Sequence, residues 1–411
     1  MNFQEHGREQ TDRMSFIRKL NGWLRAQKRK ISYEIRHRNI EKMPLKAGGQ
    51  KPRILYFTVA YPTFSESYMH DEIDALRDEF DIRIIALKKT ARPRKRAFEF
   101  TLINYSAPCL VYAPFEKVNL AFSDTNQVDA LKEISQVIEE FKPDYLHAHY
   151  LGMGVLAAEL SNRHNIPFTV RTHSMDVLNE PAEKLAAYSF FLNSATQCRR
   201  VLAFNHSVER LSCAGLKENL LHPCWPVLKH SAFDKVGVQR ANTKVLCCGP
   251  AVKKKRHRDV VDLGKLLPSH EVHLYAEGPT LLDTREYNMA QGQPIQIKYS
   301  DPEHMPTVYA GYDWLVYPSD TELNKVGLPL GVAEAMAAGL GVCWQRLPGR
   351  ESEQLEFLGG AGFLFDSIAE VPELLATPYS EEKRNAGFAA ARRYDIQKHK
   401  HLLADIWSEN G

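Results

Sequence analysis

Several chemical signatures are missing from this sequence of 411 residues, and each absence excludes a class of protein. The seven cysteines form no Cys-x-x-Cys pair, which excludes a zinc ribbon, a thioredoxin-type motif and a dense disulfide scaffold. No P-loop, Gly-x-Ser-x-Gly or His-Glu-x-x-His motif occurs, which removes the common phosphotransferase and hydrolase classes. We therefore expect a protein of the reducing cytoplasm whose core needs no covalent or metal staple.

Long apolar segments are also scarce. Residues 1–13 are polar and mixed in charge, so no secretory signal peptide is expected. The longest weakly charged run, residues 327–344, contains Pro329 and Glu334 together with several glycines. This run is too interrupted for a bilayer span and is interpreted as a loop followed by a buried helix.

Charge is unevenly distributed along the chain. The net charge of +3 combines +7 in residues 1–50 with −4 in the remainder. Within residues 13–40, apolar side chains recur at helical spacing opposite Lys and Arg, which predicts a basic amphipathic helix. Such a helix suits an anionic membrane surface, where each basic residue contributes about 1 kcal/mol. A solvated helix, or one docked on the main body, is the equal alternative.

A second basic run lies between Lys88 and Arg96 and contains no acidic residue. A solvated loop is favoured for this run, and contact with a membrane or an anionic acceptor is the alternative. The basic segments lack the interleaved aromatic residues of an RNA-binding sheet, and the rest of the chain is acidic. We therefore expect no nucleic-acid partner.

Short apolar runs alternate with helical periodicity from residue 51 onward, which predicts parallel, doubly wound α/β sheets. Ten strands are predicted, with a loop-like break after the fifth: 54–59, 82–87, 145–149, 168–172, 201–204, 245–248, 272–275, 295–298, 314–317 and 342–344. We assign residues 1–50 to the basic arm, 51–228 to a first Rossmann-like domain and 240–380 to a second. Residues 381–411 form C-terminal helices that can cross back to the first domain. The cleft between the two domains is the expected ligand site.

The most informative segment is residues 327–339, Gly-Leu-Pro-Leu-Gly-Val-Ala-Glu-Ala-Met-Ala-Ala-Gly, which follows a predicted strand. A helix that begins near Leu330 would direct unpaired N–H groups and a partial positive charge into the cleft, as a diphosphate site requires. Glu334, one turn into this helix, could accept hydrogen bonds from ribose hydroxyls. The alternative is a buried helix of small residues in which the glutamate is incidental.

This segment resembles the Glu-Ala-Met-Ala-x-Gly motif of the retaining glycosyltransferases of family 4, which have the GT-B fold. Further stretches resemble that family's motifs in the same order, across roughly residues 51–410: Tyr-Pro-Thr-Phe-Ser-Glu-Ser-Tyr at 61–68, His-Ala-His-Tyr at 147–150, Arg-Thr-His-Ser-Met-Asp at 171–176 and Glu-Gly-Pro at 277–279. The resemblance implies two Rossmann-like domains, a nucleoside diphosphate sugar as donor and retention of the anomeric configuration.

Two positions depart from the family pattern. Val326 stands eight residues before Glu334, where the family has the first glutamate of its Glu-x7-Glu motif. Pro250 stands at the position of the family's first-loop arginine, whereas Lys255 matches its lysine. Positive charge beside Lys255 can compensate, since neutralising the leaving diphosphate is the main catalytic requirement.

Two alternative interpretations of local motifs are weaker. His147, His149 and His173 could form a three-histidine zinc site, but no carboxylate spacing supports one and the resemblance implies no metal. Residues 152–157 match the Gly-x-Gly-x-x-Ala dinucleotide fingerprint, although no acidic residue follows a second strand at the expected distance. A tight strand-to-helix turn explains this stretch better.

The prediction is therefore a cytoplasmic, metal-independent GT-B glycosyltransferase that needs no cofactor. Attachment of its basic arm to the inner face of the membrane is one of the two equal interpretations of that arm. It would transfer a sugar from a nucleoside diphosphate sugar to a saccharide or lipid-linked acceptor in surface polysaccharide synthesis. A non-catalytic scaffold and a sugar-nucleotide epimerase of the same fold are the alternatives.

As the resemblance implies, three residues form the catalytic set: His173 at the reaction centre, Lys255 on the diphosphate and Glu334 on the ribose or donor sugar. The remaining candidates are predicted to bind the donor (Gly249, Lys254, Glu322, Gly331) or to line the acceptor side of the cleft (Ser65, Glu66, His149, Asp176).

Overall fold

The computed structural model describes residues 39–45, 51–90, 93–103, 125–233, 242–322 and 326–408. The predicted helix at 13–40 lies outside these residues except for its last two positions. Among the described residues, no helix combines the length and the apolar character needed to cross a bilayer.

The first domain is built around a parallel sheet of seven strands in the order β5-β3-β2-β6-β7-β8-β9. The strands of this half are β1 (Glu41–Met43), β2 (Arg53–Ala60), β3 (Asp81–Lys88), β4 (Arg96–Phe98), β5 (Thr101–Leu102), β6 (Tyr145–His149), β7 (Phe168–Arg171), β8 (Cys198–Ala203) and β9 (Leu221–Pro223). The helices are α1 (Ser67–Leu76), α2 (Thr125–Phe141), α3 (Leu151–His164), α4 (Ser174–Leu178), α5 (Ala182–Ser194) and α6 (Asn205–Cys213). Helices on both faces bury the apolar strands.

The second domain repeats this construction with a parallel sheet of six strands in the order β12-β11-β10-β13-β14-β15. Its strands are β10 (Lys244–Pro250), β11 (Glu271–Glu277), β12 (Gln296–Lys298), β13 (Trp314–Tyr317), β14 (Gly341–Gln345) and β15 (Gly362–Phe365). Its helices are α7 (His257–Leu266), α8 (Leu281–Ala290), α9 (Met305–Ala310), α10 (Leu330–Ala337), α11 (Glu351–Leu358) and α12 (Val371–Leu375). Two Rossmann-like domains facing each other confirm the predicted GT-B architecture.

Two further helices, α13 (Glu381–Arg392) and α14 (Ile396–Ser408), end the described chain. Helix α13 packs on the second domain, whereas α14 joins the apolar core of the first. Trp407 in α14 is 4% exposed, and its indole N–H donates to the Thr169 hydroxyl at 3.2 Å. The chain therefore crosses between the domains twice.

The two crossing segments are hydrogen-bonded to each other. The Leu228 N–H donates to the Tyr394 carbonyl and the Ile396 N–H donates to the Leu228 carbonyl, each at 2.8 Å. These bonds tie the linker after β9 to the turn between α13 and α14, so that any movement of one domain against the other involves both segments.

Two expectations about basic segments need correction. Glu41–Met43, within the segment assigned to a helical arm, form strand β1, which pairs in parallel with β4 because Ile40, Met43 and Leu45 pack against the first-domain core. The run from Lys88 to Arg96 is solvated only in part, because Lys88, Lys89, Lys95 and Arg96 are exposed whereas Arg94 is buried. Arg94 is 4% exposed, and Lys95 is paired with Asp301 of the second domain at 2.7 Å.

The glycine-rich stretch after β6 has a packing role. A Cβ atom on Gly154 would lie 2.8 Å from the Val170 side chain on the neighbouring strand, closer than packed atoms allow. The glycine thus lets α3 approach the sheet, as the interpretation of a tight strand-to-helix turn requires.

Candidate active site

A cavity of about 390 Å³ lies between the two domains. The carboxyl ends of the parallel strands of both sheets face it, which is where ligands bind in doubly wound folds. The second-domain wall is formed by segments after β10, β11 and β13, and the first-domain wall by segments after β2, β6 and β7.

Lys255 supplies a buried amine on the second-domain wall. It is 8% exposed, and its Nζ lies 4.0 Å from the centre of the Tyr317 ring. Burial, with a further contribution from Lys254, lowers the pKa of Lys255 to about 7. Burial also lowers the pKa of Lys254. An anion in the cavity would stabilise the charged form of both amines, so this wall favours a phosphate-bearing ligand.

The N-terminus of α10 opens onto the same cavity. Pro329 is its N-cap and offers no side-chain hydrogen bond to the first turn, so backbone N–H groups at this end remain available to a ligand. Leu330 and Gly331 line the cavity directly. A Cβ atom on Gly331 would lie 3.3 Å from the Tyr309 hydroxyl. A glycine at this position therefore avoids a tight contact with that hydroxyl. The partial positive charge of the helix end adds to the attraction for an anion.

Glu334 lies one turn into α10. Its Oε2 accepts a hydrogen bond from the Tyr309 hydroxyl at 2.8 Å, which fixes the carboxyl group at the cavity wall. Burial raises the pKa of Glu334 to about 7, and nearby Asp71 contributes to the rise. The carboxyl group can therefore act as a hydrogen-bond partner for a hydroxyl-bearing ligand in either protonation state.

His173 is the centre of the first-domain wall. Its ring lies between Tyr150 and Tyr68, with centroid distances of 4.5 and 4.8 Å. Its Nε2 is 3.0 Å from Nδ1 of His149. Burial and the neighbouring His149 hold the pKa of His173 well below its usual range, so the ring is neutral at pH 7.

A second group on this wall surrounds Glu66. Its Oε1 accepts a hydrogen bond from the Tyr150 hydroxyl at 2.5 Å, and the Tyr150 and Tyr68 hydroxyls are 3.1 Å apart. Burial raises the pKa of Glu66. The wall thus presents aromatic faces and hydroxyl groups together, a combination suited to a sugar ring.

The structure brings most of the predicted residues to this one cavity. The following line it: Ser65, Glu66, His173, Gly249, Lys254, Lys255, Gly331 and Glu334. They come from segments separated by up to 269 positions of sequence, between Ser65 and Glu334. Val326 and Pro250, the two departures from the family pattern, line it as well.

Three predicted residues lie elsewhere. His149 is fully buried behind His173. Asp176 accepts hydrogen bonds from the backbone N–H groups of His173 at 2.7 Å and Leu151 at 2.6 Å, so it positions the loop that carries His173. Glu322 is exposed, and its own N–H is bonded to the Asp320 carboxylate at 3.0 Å, which places it outside the cavity lining.

Glu72, on α1, is a central residue that the sequence analysis missed. It is 1% exposed, and its Oε2 lies 2.7 Å from both Arg171 Nη1 and His399 Nε2. Its Oε1 accepts from the Tyr56 hydroxyl at 2.8 Å and lies 3.0 Å from His149 Nε2. One carboxylate thus links strands β2, β6 and β7 to helix α14. The signal was available, since Glu72 shares a helical face with Met69, Ile73 and Leu76.

The ionisation of this network follows from its contacts. Burial alone would raise the pKa of Glu72, but the adjacent His149 and His399 and the hydrogen bonds it accepts bring that pKa well below its usual range. Burial lowers the pKa values of His149 and His399 to about 4. The network therefore consists of an ionised carboxylate, a guanidinium and neutral imidazoles at pH 7.

Glu72, His147 and His149 place ligand atoms within 4.8 Å of one another, as a metal site would require. His173 is not part of this group. The Glu72 carboxylate is already paired with the Arg171 guanidinium, and a divalent cation there would have to lie beside this buried positive charge. The donor set is better suited to holding the guanidinium than to holding a metal.

Replacing Glu72 with glutamine is expected to lower the free energy of unfolding by about 3–5 kcal/mol, because it leaves the Arg171 guanidinium buried without its counter-ion. Urea unfolding of the full chain measures this. Glu79→Gln, in the turn that follows α1, is the matched control. Its pair with Lys400 is half-exposed at the Glu79 side chain, so a loss of at most about 1 kcal/mol is expected. Equal losses in the two variants would contradict the central position of Glu72.

Part of the chain matches a known protein family. Residues 53–202 match the family model described as glycosyl transferase 4-like. No curated protein matches the chain.

Solved structures share the fold across most of the chain. The complex of Anabaena HepE with UDP and glucose has a TM-score of 0.65 and 16% identity, over 87% of this chain and 99% of that one. Sucrose-phosphate synthase from Thermosynechococcus elongatus has a TM-score of 0.64 and 15% identity, over 87% of this chain and 98% of that one. A glycosyltransferase from Rickettsia africae has a TM-score of 0.61 and 13% identity, over 88% of this chain and all of that one. Residues 53–202 thus match a glycosyl transferase 4-like family model, and the chain shares the two-domain GT-B fold with these solved structures.

Proposed function

We propose that this protein transfers a sugar from a nucleoside diphosphate sugar to a saccharide or lipid-linked acceptor in surface polysaccharide synthesis, with retention of the anomeric configuration. The observation that carries the proposal is the shared cavity: Lys255, the α10 N-terminus and Glu334 face His173 across it. Lys255 and the α10 N-terminus match a diphosphate, Glu334 matches a ribose, and His173 matches the reacting sugar.

The donor diphosphate is assigned to Lys255, Lys254 and the start of α10. Two amines with lowered pKa values and a helix N-terminus line the same wall, and each is stabilised by an anion. Anabaena HepE, which shares the fold, has been solved with UDP and glucose, and UDP is therefore the first nucleotide to test.

The ribose is assigned to Glu334, whose carboxyl group is held by Tyr309 at the wall. The reacting sugar then lies towards the first domain, with its leaving phosphate at Lys255. His173 contacts the sugar or acceptor as a neutral hydrogen-bonding ring, and Ser65 and Glu66 contact the acceptor side.

In the reaction, the bond between the anomeric carbon and the phosphate oxygen breaks, and the acceptor hydroxyl oxygen bonds to the same face of that carbon. The acceptor proton passes to the leaving phosphate, whose developing charge Lys255 and the helix end stabilise. This route requires neither a protein base nor a metal ion, in agreement with the proposal that no cofactor takes part.

A non-catalytic scaffold is the second candidate, because of Val326. This side chain is 2% exposed and lines the cavity where the family pattern has a glutamate, and its carbonyl is bound by the Arg350 guanidinium. A chain that binds the donor and does not turn it over would have this second function.

Screening nucleoside diphosphate sugars for thermal stabilisation, followed by turnover of the stabilising donor, tests the proposal. We expect transfer that is unaffected by EDTA and a product whose NMR anomeric coupling matches that of the donor. Inversion would exclude the retaining mechanism, and stabilisation without turnover would favour the scaffold.

Lys255→Met and Glu334→Gln are each expected to weaken UDP binding roughly ten- to hundredfold, because each loses a charge-assisted hydrogen bond. Titration calorimetry measures the affinity, and circular dichroism checks the fold. Glu322→Gln is the control, since this exposed side chain lies outside the cavity lining and UDP affinity should not change. Wild-type affinity in the Lys255 and Glu334 variants would contradict the donor assignment.

Binding of UDP is expected to take up a proton. The pKa of Lys255 is about 7, so its amine is mostly neutral in the free protein when the pH is one unit above that value. The bound diphosphate raises this pKa, and the amine therefore takes up a proton when UDP binds at that pH. Calorimetry in buffers of different ionisation enthalpy measures the uptake, which should vanish one unit below that pKa. The difference between wild type and Lys255→Met isolates this lysine from Glu334, which titrates nearby. Identical proton uptake in the two proteins would show that Lys255 does not meet the diphosphate.

A further inference from the structure

A second cavity of about 420 Å³ adjoins the first and is not used by the proposed donor. Its walls are the outer face of α1, strands β1 and β4, the linker after β9 and the segment from Pro302 to Pro306. Both cavities are lined by Glu334 and Leu330 of α10, and also by Ser67, Val227 and Pro302. A ligand in the second cavity would therefore lie directly beside the donor.

Arg94 is the distinctive residue of this second cavity. It is 4% exposed, and its Nε and Nη1 have no hydrogen-bond partner among the described residues. Its Nη2 is 3.5 Å from Glu303 Oε1 of the opposite domain, too long for a strong charge-assisted bond. Buried guanidinium N–H groups are normally paired, so these groups indicate a missing acceptor.

His70 adds a second unsatisfied group to the same cavity. Both of its ring nitrogens are buried without a hydrogen-bond partner among the described residues. Its Nδ1 lies 3.7 Å from Asp71 Oδ1, beyond hydrogen-bond distance. The ring is stacked on Phe98, with a centroid distance of 4.7 Å, and is thereby held in this orientation.

The lining charges describe the missing ligand more closely. Asp74 is already engaged by two cations, Arg77 at 3.0 Å and Lys229 at 2.9 Å. Arg96 is likewise paired, with Glu41 at 3.3 Å. Arg94 therefore provides the positive charge on the β4 side, whereas Asp71 and Glu334 provide acceptors on the α1 and α10 side. A ligand that accepts hydrogen bonds from a guanidinium and donates hydrogen bonds through hydroxyls would complement both sides of the cavity.

We propose that the second cavity binds a saccharide carrying an anionic group, a carboxylate or a phosphate, with Arg94 in direct contact with that group. A planar guanidinium matches both oxyanions with two parallel hydrogen bonds, and hydroxyls of the sugar ring meet Asp71 and His70. Since the cavity adjoins the donor site at Glu334, the ligand is the acceptor, and this part of the inference rests on the proposed function.

Binding of small acidic sugars to the full-length chain tests the inference. The probes are glucuronic acid for the carboxylate and glucose 6-phosphate for the phosphate, with glucose as the uncharged control and inorganic phosphate to separate the anion from the ring. Saturation-transfer NMR with UDP present measures each affinity. We expect one acidic sugar to bind at least about tenfold more tightly than glucose. Equal affinities for all the probes would overturn the proposal.

Variants then locate the site. Arg94→Gln is expected to weaken binding of the acidic sugar at least about tenfold and to leave UDP affinity unchanged. Lys95→Gln is the matched control, because this neighbouring side chain is 74% exposed and does not line the cavity. Unchanged affinity in Arg94→Gln, or an equal loss in Lys95→Gln, would overturn the assignment.

If Arg94→Gln does not fold, Lys229→Glu provides a second test at the rim. This side chain is 45% exposed, and reversing its charge should weaken binding of the acidic sugar about threefold. No change would count against the proposal.

The two proposals fail separately. UDP binding without acidic-sugar binding overturns the second-cavity site and leaves the transferase in place. Arg94-dependent sugar binding without turnover of any donor overturns the proposed transfer and leaves the anion site in place.

Discussion

The first domain depends on one buried negative charge. The Glu72 carboxylate is in contact with Tyr56 on β2, His149 on β6, Arg171 on β7 and His399 on α14. A buried charge is tolerated only where its partners are complete, and here the partners come from four separate elements. The same contacts fix His149, which lies 3.0 Å from His173, and Arg171 itself lines the cavity. The contacts of the Glu72 carboxylate thus hold the first-domain core together and also position the first-domain wall of the cavity.

Helix α14 connects this core to the relation between the domains. Its His399 and Trp407 hold it on the first domain, while α13 immediately before it packs on the second. The turn between them is hydrogen-bonded to the linker at Leu228. Further contacts cross the cleft itself: Phe64 stacks on Tyr299 at 5.7 Å, and a Cβ atom on Gly327 would collide with the Ser174 side chain. The two walls of the first cavity are therefore in direct contact at these points.

The two cavities differ in chemistry, and Glu334 lies between them. The first combines aromatic rings with amines whose pKa values are lowered by burial, which suits a nucleotide sugar. The second is lined by ionic side chains from both domains, including Arg94 and Glu303, which face each other across the domain boundary. A ligand at that boundary would join the domains through its own polar groups. If the proposed assignments hold, binding of donor and acceptor would both be linked to the relative position of the domains.

Local sequence patterns were sufficient for much of this architecture. Tyr145–His149 and Trp314–Tyr317 were predicted with their observed limits, because fully buried parallel strands appear as short, continuous apolar runs. Short edge strands such as Leu221–Pro223 and Gly362–Phe365 were not predicted, since half-exposed edges carry a weaker apolar signal. The motif residues that line the first cavity follow strand ends. These ends could be predicted because the end of a strand is visible in the local sequence pattern.

What the sequence determined by itself was the order of strands and helices and the chemistry at their ends, because both follow from near-neighbour periodicity and residue type. The tertiary structure decided which of those ends meet. In the folded chain, Glu322 lies outside the cavity lining, and His149 and Asp176 lie behind the residues that line it. Arg94, from the basic run, lies at the boundary between the domains. The tertiary structure also gathered Tyr56, Arg171 and His399 around Glu72 from positions as far as 327 residues away. Such contacts depend on how the sheets and helices pack, and no local pattern of residues specifies them.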